Sequence, residues 1–142
     1  HINAQALVAS MPEAKKADTD LQTFAQGLEG DGKALVDEYT KKMKDFDEKA
    51  STMTDNMKEI KGREIQDAQK RIQDYRESAE QKVQAKQQEL LKPIYDKARK
   101  AIEDVAKEKG YGYVIDSSGG ILLVSPASDD ILAAVKAKLG IK

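Results

Sequence analysis

The sequence predicts an α+β chain that is mostly α. A long antiparallel helical hairpin, coiled-coil-like, stands on a small β body that needs other subunits to cover it. Three observations predict this. A charged helical pattern, nearly free of proline, runs from about Pro12 to Lys109 and lapses once, near 54–62. β-forming residues follow at 111–124. A short amphipathic segment comes next, at about 129–139.

Composition agrees with an arm on a small body. The chain has 142 residues, 39% hydrophobic and 35% charged, with seven aromatic residues and no Trp. A single round core would need more large apolar side chains, whereas a long helix buries only a stripe. Formal net charge is −1, so no whole-chain field draws in nucleic acid or an anionic membrane. Charge divides by segment: 13–61 holds nine Lys/Arg and twelve Asp/Glu, and 63–109 holds twelve and ten. Two antiparallel helices of opposite sign attract weakly across their seam. No cysteine is present, which excludes disulfides, thiolate catalysis and zinc–sulfur sites. No apolar run approaches the roughly 20 residues that span a bilayer. The chain starts at His1 rather than Met, and a removed leader such as a signal peptide is expected.

The elements are read in order. His1-Ile2-Asn3 reads as the end of a strand, and 4–9 as one or two helical turns. Ser10-Met11-Pro12-Glu13 starts the first long helix, with Ser10 as cap, Glu13 at the capping-box position and Pro12 where no N–H is needed. Helix one carries Leu21, Phe24, Leu28, Leu35, Tyr39, Met43, Phe46, Ala50, Met53 and Met57 in steps of three and four. Gly27, Gly30 and Gly32 crowd one stretch, each costing about 1 kcal/mol against Ala in a helix interior. They are expected to form a soft spot or break. Asp55, Asn56 and Gly62 place the turn between 54 and 62.

Helix two carries Ile65, Ala68, Ile72, Tyr75, Ala79, Val83, Leu90, Ile94, Ala98, Ile102 and Val105. Its first half is rich in Gln and Ala, so that part of the seam packs weakly. Pro93 should kink it, having no N–H to donate and a ring that crowds the carbonyl one turn earlier. With the three glycines it makes the expected hinge set. Gly110 ends the helix. Strands are expected at 113–116 and 121–124, joined by the turn Ser117-Ser118-Gly119-Gly120. The strand Ile121-Leu122-Leu123-Val124 is apolar on both faces and must be covered on both. One short helix with Ile131, Leu132, Val135 and Leu139 covers one side only, so another subunit is the natural cover for the other. The expected body is thus 1–12 with 110–142, its association residues Ile2, Val114, Ile121, Leu122, Leu123, Val124 and Val135. The arm is 13–109.

Catalytic signatures are missing from the sequence. There is no GxxxxGK[ST] loop and no GxGxxG. The only histidine is His1, which removes Ser–His and Cys–His catalysis and histidine-based metal sites. Carboxylates alternate with Lys and Arg as on solvated helical faces. No enzyme activity, cofactor or metal is expected.

One segment runs Pro93-Ile94-Tyr95-Asp96-Lys97-Ala98-Arg99-Lys100-Ala101-Ile102, then Val105-Ala106-Lys107-Glu108-Lys109-Gly110-Tyr111 and Tyr113-Val114-Ile115-Asp116. With Ile121-Leu122-Leu123-Val124-Ser125-Pro126, Asp130-Ile131 and Met11-Pro12-Glu13, it resembles the Skp/OmpH-like periplasmic chaperones. The resemblance covers essentially the whole chain. It implies a homotrimer with a shared β body and three helical tentacles around a cavity. It further implies a periplasmic protein of a Gram-negative bacterium that holds unfolded outer-membrane proteins without ATP. Contact with membranes would be indirect, through those clients. The chain is slightly acidic, whereas well-known members are basic. On this reading Tyr39, Met43, Phe46, Met53, Met57, Ile72 and Tyr75 are the candidate client contacts, since flexible methionine thioethers suit varied partners. The competing expectation is a structural or adaptor coiled coil with one fixed partner and no client-holding activity.

Overall fold

The computed structural model describes residues 1–120 and 122–141. Four α-helices account for most of them: α1 (Ala4–Ser10), α2 (Pro12–Lys49), α3 (Asp55–Glu108) and α4 (Leu132–Leu139). The chain forms two compact units. The core unit is His1–Asp20 with Gln87–Lys142, and the hairpin unit is Leu21–Lys86.

The expected β body is not there. The chain is 81% helical and has no strand or sheet among the described residues. In place of a sheet there is one isolated parallel bridge, Ile2 with Asp116. It is held by the Ile2 N–H on the Ile115 carbonyl at 3.0 Å and the Ser117 N–H on the Ile2 carbonyl at 2.9 Å. The physical reason is lack of a partner. Branched and aromatic residues favour strands only when neighbours pack on them, and two strands alone are marginal. Tyr113 and Ile115 therefore stay exposed and irregular, as do Leu123 and Val124, while Leu122 is half-buried. Ile121 lies outside the described residues.

The core unit closes around one face of α3, whose buried residues step by four, three and four, rather than around a sheet. Ile2, Leu7, Met11 and Ala17 pack with Ile94, Ala98, Ala101 and Val105 of α3 and with Ile131 and Val135. Ile2 and Val135, expected to meet other subunits, are buried in this core. Each such aliphatic side chain contributes about 1.5–3 kcal/mol when fully buried. Asn3 caps α1, its side chain accepting from the Ala6 N–H at 2.8 Å. Ser10 is not the cap of α2: its hydroxyl donates to the Leu7 carbonyl at 2.7 Å. Met11 occupies the cap position, Pro12 opens the helix, and Glu13 pairs with Lys97 instead of closing a capping box.

Both α3 and α4 end on a left-handed glycine. Gly110 has φ 70°, with the Tyr111 N–H on the Ala106 carbonyl at 2.9 Å. Gly140 has φ 69°, with the Ile141 N–H on the Lys136 carbonyl at 2.9 Å. Any Cβ would be strained at either position. Helix α4 is shorter than expected because Ala127–Asp129 forms a tight turn and the Asp130 carboxylate accepts from the Leu132 N–H at 2.8 Å.

In the hairpin unit, α2 passes through Gly27, Gly30 and Gly32 without a break, and in the core unit α3 runs through Pro93. The reversal also falls earlier than expected. Ala50–Thr52 is a single tight turn, and Asp55 already stands in the first turn of α3. Gly62 is inside that helix.

Candidate functional site

The two units differ in how completely they bury their apolar residues. In the hairpin unit Ala68 is the one buried hydrophobic residue among those described. Alanine offers little area, so this seam is thin. The rest of the stripe is half-open. Tyr39, Met43, Phe46, Met53, Ile72 and Tyr75 are each half-buried, and Met57 is exposed. All seven residues expected to contact clients therefore reach the surface. Val36 and Ile60 are further exposed apolar groups of this unit that the periodicity did not single out.

Two kinds of contact hold the seam. One is a chain of ion pairs. Arg71 Nη2 donates to Glu38 Oε1 at 2.7 Å, and Lys42 lies 3.7 Å from Glu38 and 3.8 Å from Glu64. Lys61 completes it at 2.9 Å from Glu64. The Arg71 hydrogen bond holds the Glu38 carboxyl below its ordinary range, and Lys61 does the same for Glu64. Both carboxylates are solvent-accessible, so each pair is a weak fastener. The other contact is Tyr75. Its hydroxyl donates to the Leu28 carbonyl at 2.9 Å, and its ring lies where a Cβ on Gly32 would come within 3.3 Å of Cε1. Glycine there admits the ring. Gly27 and Gly30 have nothing within 4 Å of such a Cβ. Partial desolvation, and then Asp31, push the Tyr75 hydroxyl's pKa up.

Beside Tyr75 the seam opens into a groove of about 710 Å³. Leu28, Gly32 and Val36 form one wall, and Ile72, Ala79 and Val83 the other. Nothing in the sequence alone located it. It depends on which residues of α2 face which of α3, a register that the structure gives through pairs such as Glu38 with Arg71.

The core unit has its own open region, about 1090 Å³, between α1, the end of α3 and residues 111–118. Beside it Tyr113 is 93% exposed, Leu123 97% and Val124 86%. Asp116 fastens this segment. Its carboxylate accepts from the Ser118 N–H at 2.9 Å and the Ala4 N–H at 3.1 Å, which lowers its pKa. Helix α4 is tied to α3 by the Lys138–Glu108 pair, which raises the lysine's pKa.

Among the described residues no cluster of His, Cys, Asp or Glu could hold a metal ion. No helix is long and apolar enough to cross a membrane.

The described residues form a helical hairpin unit with a half-buried apolar stripe beside a closed core unit. The chain belongs to the outer membrane protein (OmpH-like) family, whose model matches residues 1–139. The fold is similar to the crystal structure of a protein assigned as an outer membrane chaperone (OmpH-like) from Caulobacter crescentus. That likeness has a TM-score of 0.85 and 20% identity, and covers 97% of this chain and 80% of the other. No curated protein matches the chain.

Proposed function

We propose that this chain is a chaperone that holds unfolded outer-membrane proteins in the periplasm, without ATP and without catalysis. The observation that carries the reading is the hairpin stripe. A 66-residue unit, Leu21–Lys86, with one buried alanine leaves its tyrosines, methionines and phenylalanines within reach of another chain. Many weak, replaceable contacts along such a stripe give avidity without a fixed pose. Family membership supports the client class, and the absence of a phosphate-binding loop supports independence from ATP.

The working form is a homotrimer. Tyr113, Ile115, Leu123 and Val124 support self-association, being large, apolar and exposed in the single chain. Light scattering on a sizing column tests it, and a monomer mass at micromolar concentration contradicts it. The holding activity is tested by diluting a urea-unfolded outer-membrane barrel into buffer without nucleotide. Suppressed turbidity is expected. If no client is protected, the fixed-partner adaptor takes its place.

A further inference from the structure

We propose that the reversal of the helical hairpin is a modification site, where peroxide converts Met57 and then Met53 to sulfoxides and so weakens the hold on clients. This rests on the holding function proposed above and adds its regulation.

The chain has four methionines, no Cys and no Trp. Thioethers are therefore the side chains that dilute hydrogen peroxide attacks. Burial sorts them. Met11 is 0% exposed, enclosed in the core unit. Met43 and Met53 are half-buried, and Met57 is 42% exposed. Three of the four thus stand in the hairpin unit, and the most accessible one lies in the first turn of α3, beside the reversal.

Local structure separates Met53 from Met43. Met43 sits inside the continuous helix α2. Met53 lies between helices, after the Ala50–Thr52 turn, and its N–H meets the Ala50 carbonyl only at 3.4 Å. Thr54 follows and caps α3. Its hydroxyl accepts from the Met57 N–H at 3.3 Å, and its carbonyl from the Lys58 N–H at 3.0 Å. A connecting segment opens more readily than a helix interior, so Met53 is reached before Met43.

Each oxidation transfers one oxygen atom. A sulfur lone pair attacks a peroxide oxygen, and the S–O bond forms as the O–O bond breaks. The departing hydroxide takes the proton of the transferred oxygen and leaves as water. Sulfur gives up two electrons and the peroxide gains them. The sulfoxide is polar where the thioether was apolar and adaptable, and methionine sulfoxide reductases reverse the change. Met57 and Ile60, three residues apart on α3, are the most exposed large apolar residues described in the hairpin unit. Oxidation therefore removes apolar surface at the reversal, while enclosed Met11 keeps the core unit intact.

The test exposes the full-length chain to graded hydrogen peroxide and follows each methionine by peptide mass spectrometry. Met57 should oxidise about tenfold faster than Met11, with Met53 second and Met43 third. Protein oxidised at the reversal, with Met11 still intact, is then assayed against a urea-diluted outer-membrane barrel. About threefold more of it should be needed to suppress turbidity, and a methionine sulfoxide reductase should restore the parent value. Met53→Leu with Met57→Leu has no thioether at the reversal. Compared with itself before and after peroxide, it should show no fall, whereas Met43→Leu should fall as the parent does. Circular dichroism checks that both variants are helical, and the mass map and the reductase step use the parent alone. Met57 oxidised no faster than Met11, protection unchanged by oxidation, or an equal fall in the double variant overturns the proposal and leaves the holding function standing. A parent that protects no client before oxidation removes the holding function, and this regulation with it.

Discussion

The core unit and the hairpin unit are built from the same two long helices, yet they use their apolar residues differently. Around α1, α4 and the C-terminal part of α3, ten residues are buried together, five of them essentially fully enclosed: Ile2, Leu7, Met11, Ile131 and Val135. In the hairpin unit the same α2 and α3 meet along half-exposed side chains, one buried alanine, a tyrosine on a glycine and a line of surface ion pairs. The difference lies in how many elements converge. Two helices alone can each bury only a stripe, while further segments packed against them close a core. Stability thus concentrates in one unit, and the other keeps adaptable apolar surface.

The largest expected effect breaks the core. Leu7→Ala should cost about 3 kcal/mol, since Leu7 is wholly enclosed and its neighbours cannot collapse onto the gap. Leu35→Ala in the half-open seam should cost about 1 kcal/mol, because less area leaves water in the first place. Urea unfolding followed by far-UV dichroism measures both. Equal costs would remove the distinction between the units.

The glycines sharpen the comparison within the hairpin unit. Gly27→Ala and Gly30→Ala meet open space inside a regular helix and should each stabilise by up to about 1 kcal/mol. Gly32→Ala should gain clearly less, as its Cβ presses on the Tyr75 ring at 3.3 Å. Tyr75→Phe keeps the ring and removes its bond to the Leu28 carbonyl, costing about 1 kcal/mol. Local amide exchange around Leu28 and Gly32 reads out both changes. An unaltered exchange pattern in Tyr75→Phe would show that the hydroxyl contributes nothing.

Acid should have the smallest effect. The Glu38 and Glu64 carboxyls are held below the ordinary carboxylate range in the folded chain, by hydrogen bonds from Arg71 and Lys61. Stability from a depressed carboxyl is fully present above its unfolded pKa and is lost as pH falls through the folded one. The hairpin amides should therefore exchange at their slowest, after correction for intrinsic rates, above about pH 5. Protection should decline as the pH drops below about 4. Glu38→Gln should flatten that decline. Added salt should act in the same direction as acid, since these pairs are at the surface.

Much of the helical layout was legible in the sequence, for local reasons. Steps of three and four placed the stripes, Pro12 marked a helix start, and Gly110 marked an end that needs a left-handed residue. The reversal was misplaced because Asp55 and Asn56 read equally well as turn formers and as an acidic first helical turn. The glycine cluster looked like a break, yet the cost of three glycines is small beside a helix running from Pro12 to Lys49. Val114, Ile115 and Val124 read as strands because of their side-chain type, but strand formation depends on a partner edge that this chain does not supply. The groove was illegible for a similar reason. Gly32, Tyr75 and Ala79 come together only through the pairing of two distant helical segments.

The central claim is that clients engage the hairpin unit and leave the core unit undisturbed. Hydrogen exchange of the full-length chain, with and without a urea-diluted outer-membrane barrel, tests it most directly. Added protection is predicted within Leu21–Lys86, centred on Val36, Tyr39, Ile72 and Tyr75, with the amides of α1 and α4 unchanged. Protection gained only in the core unit, or nowhere while the barrel stays soluble, would contradict the account.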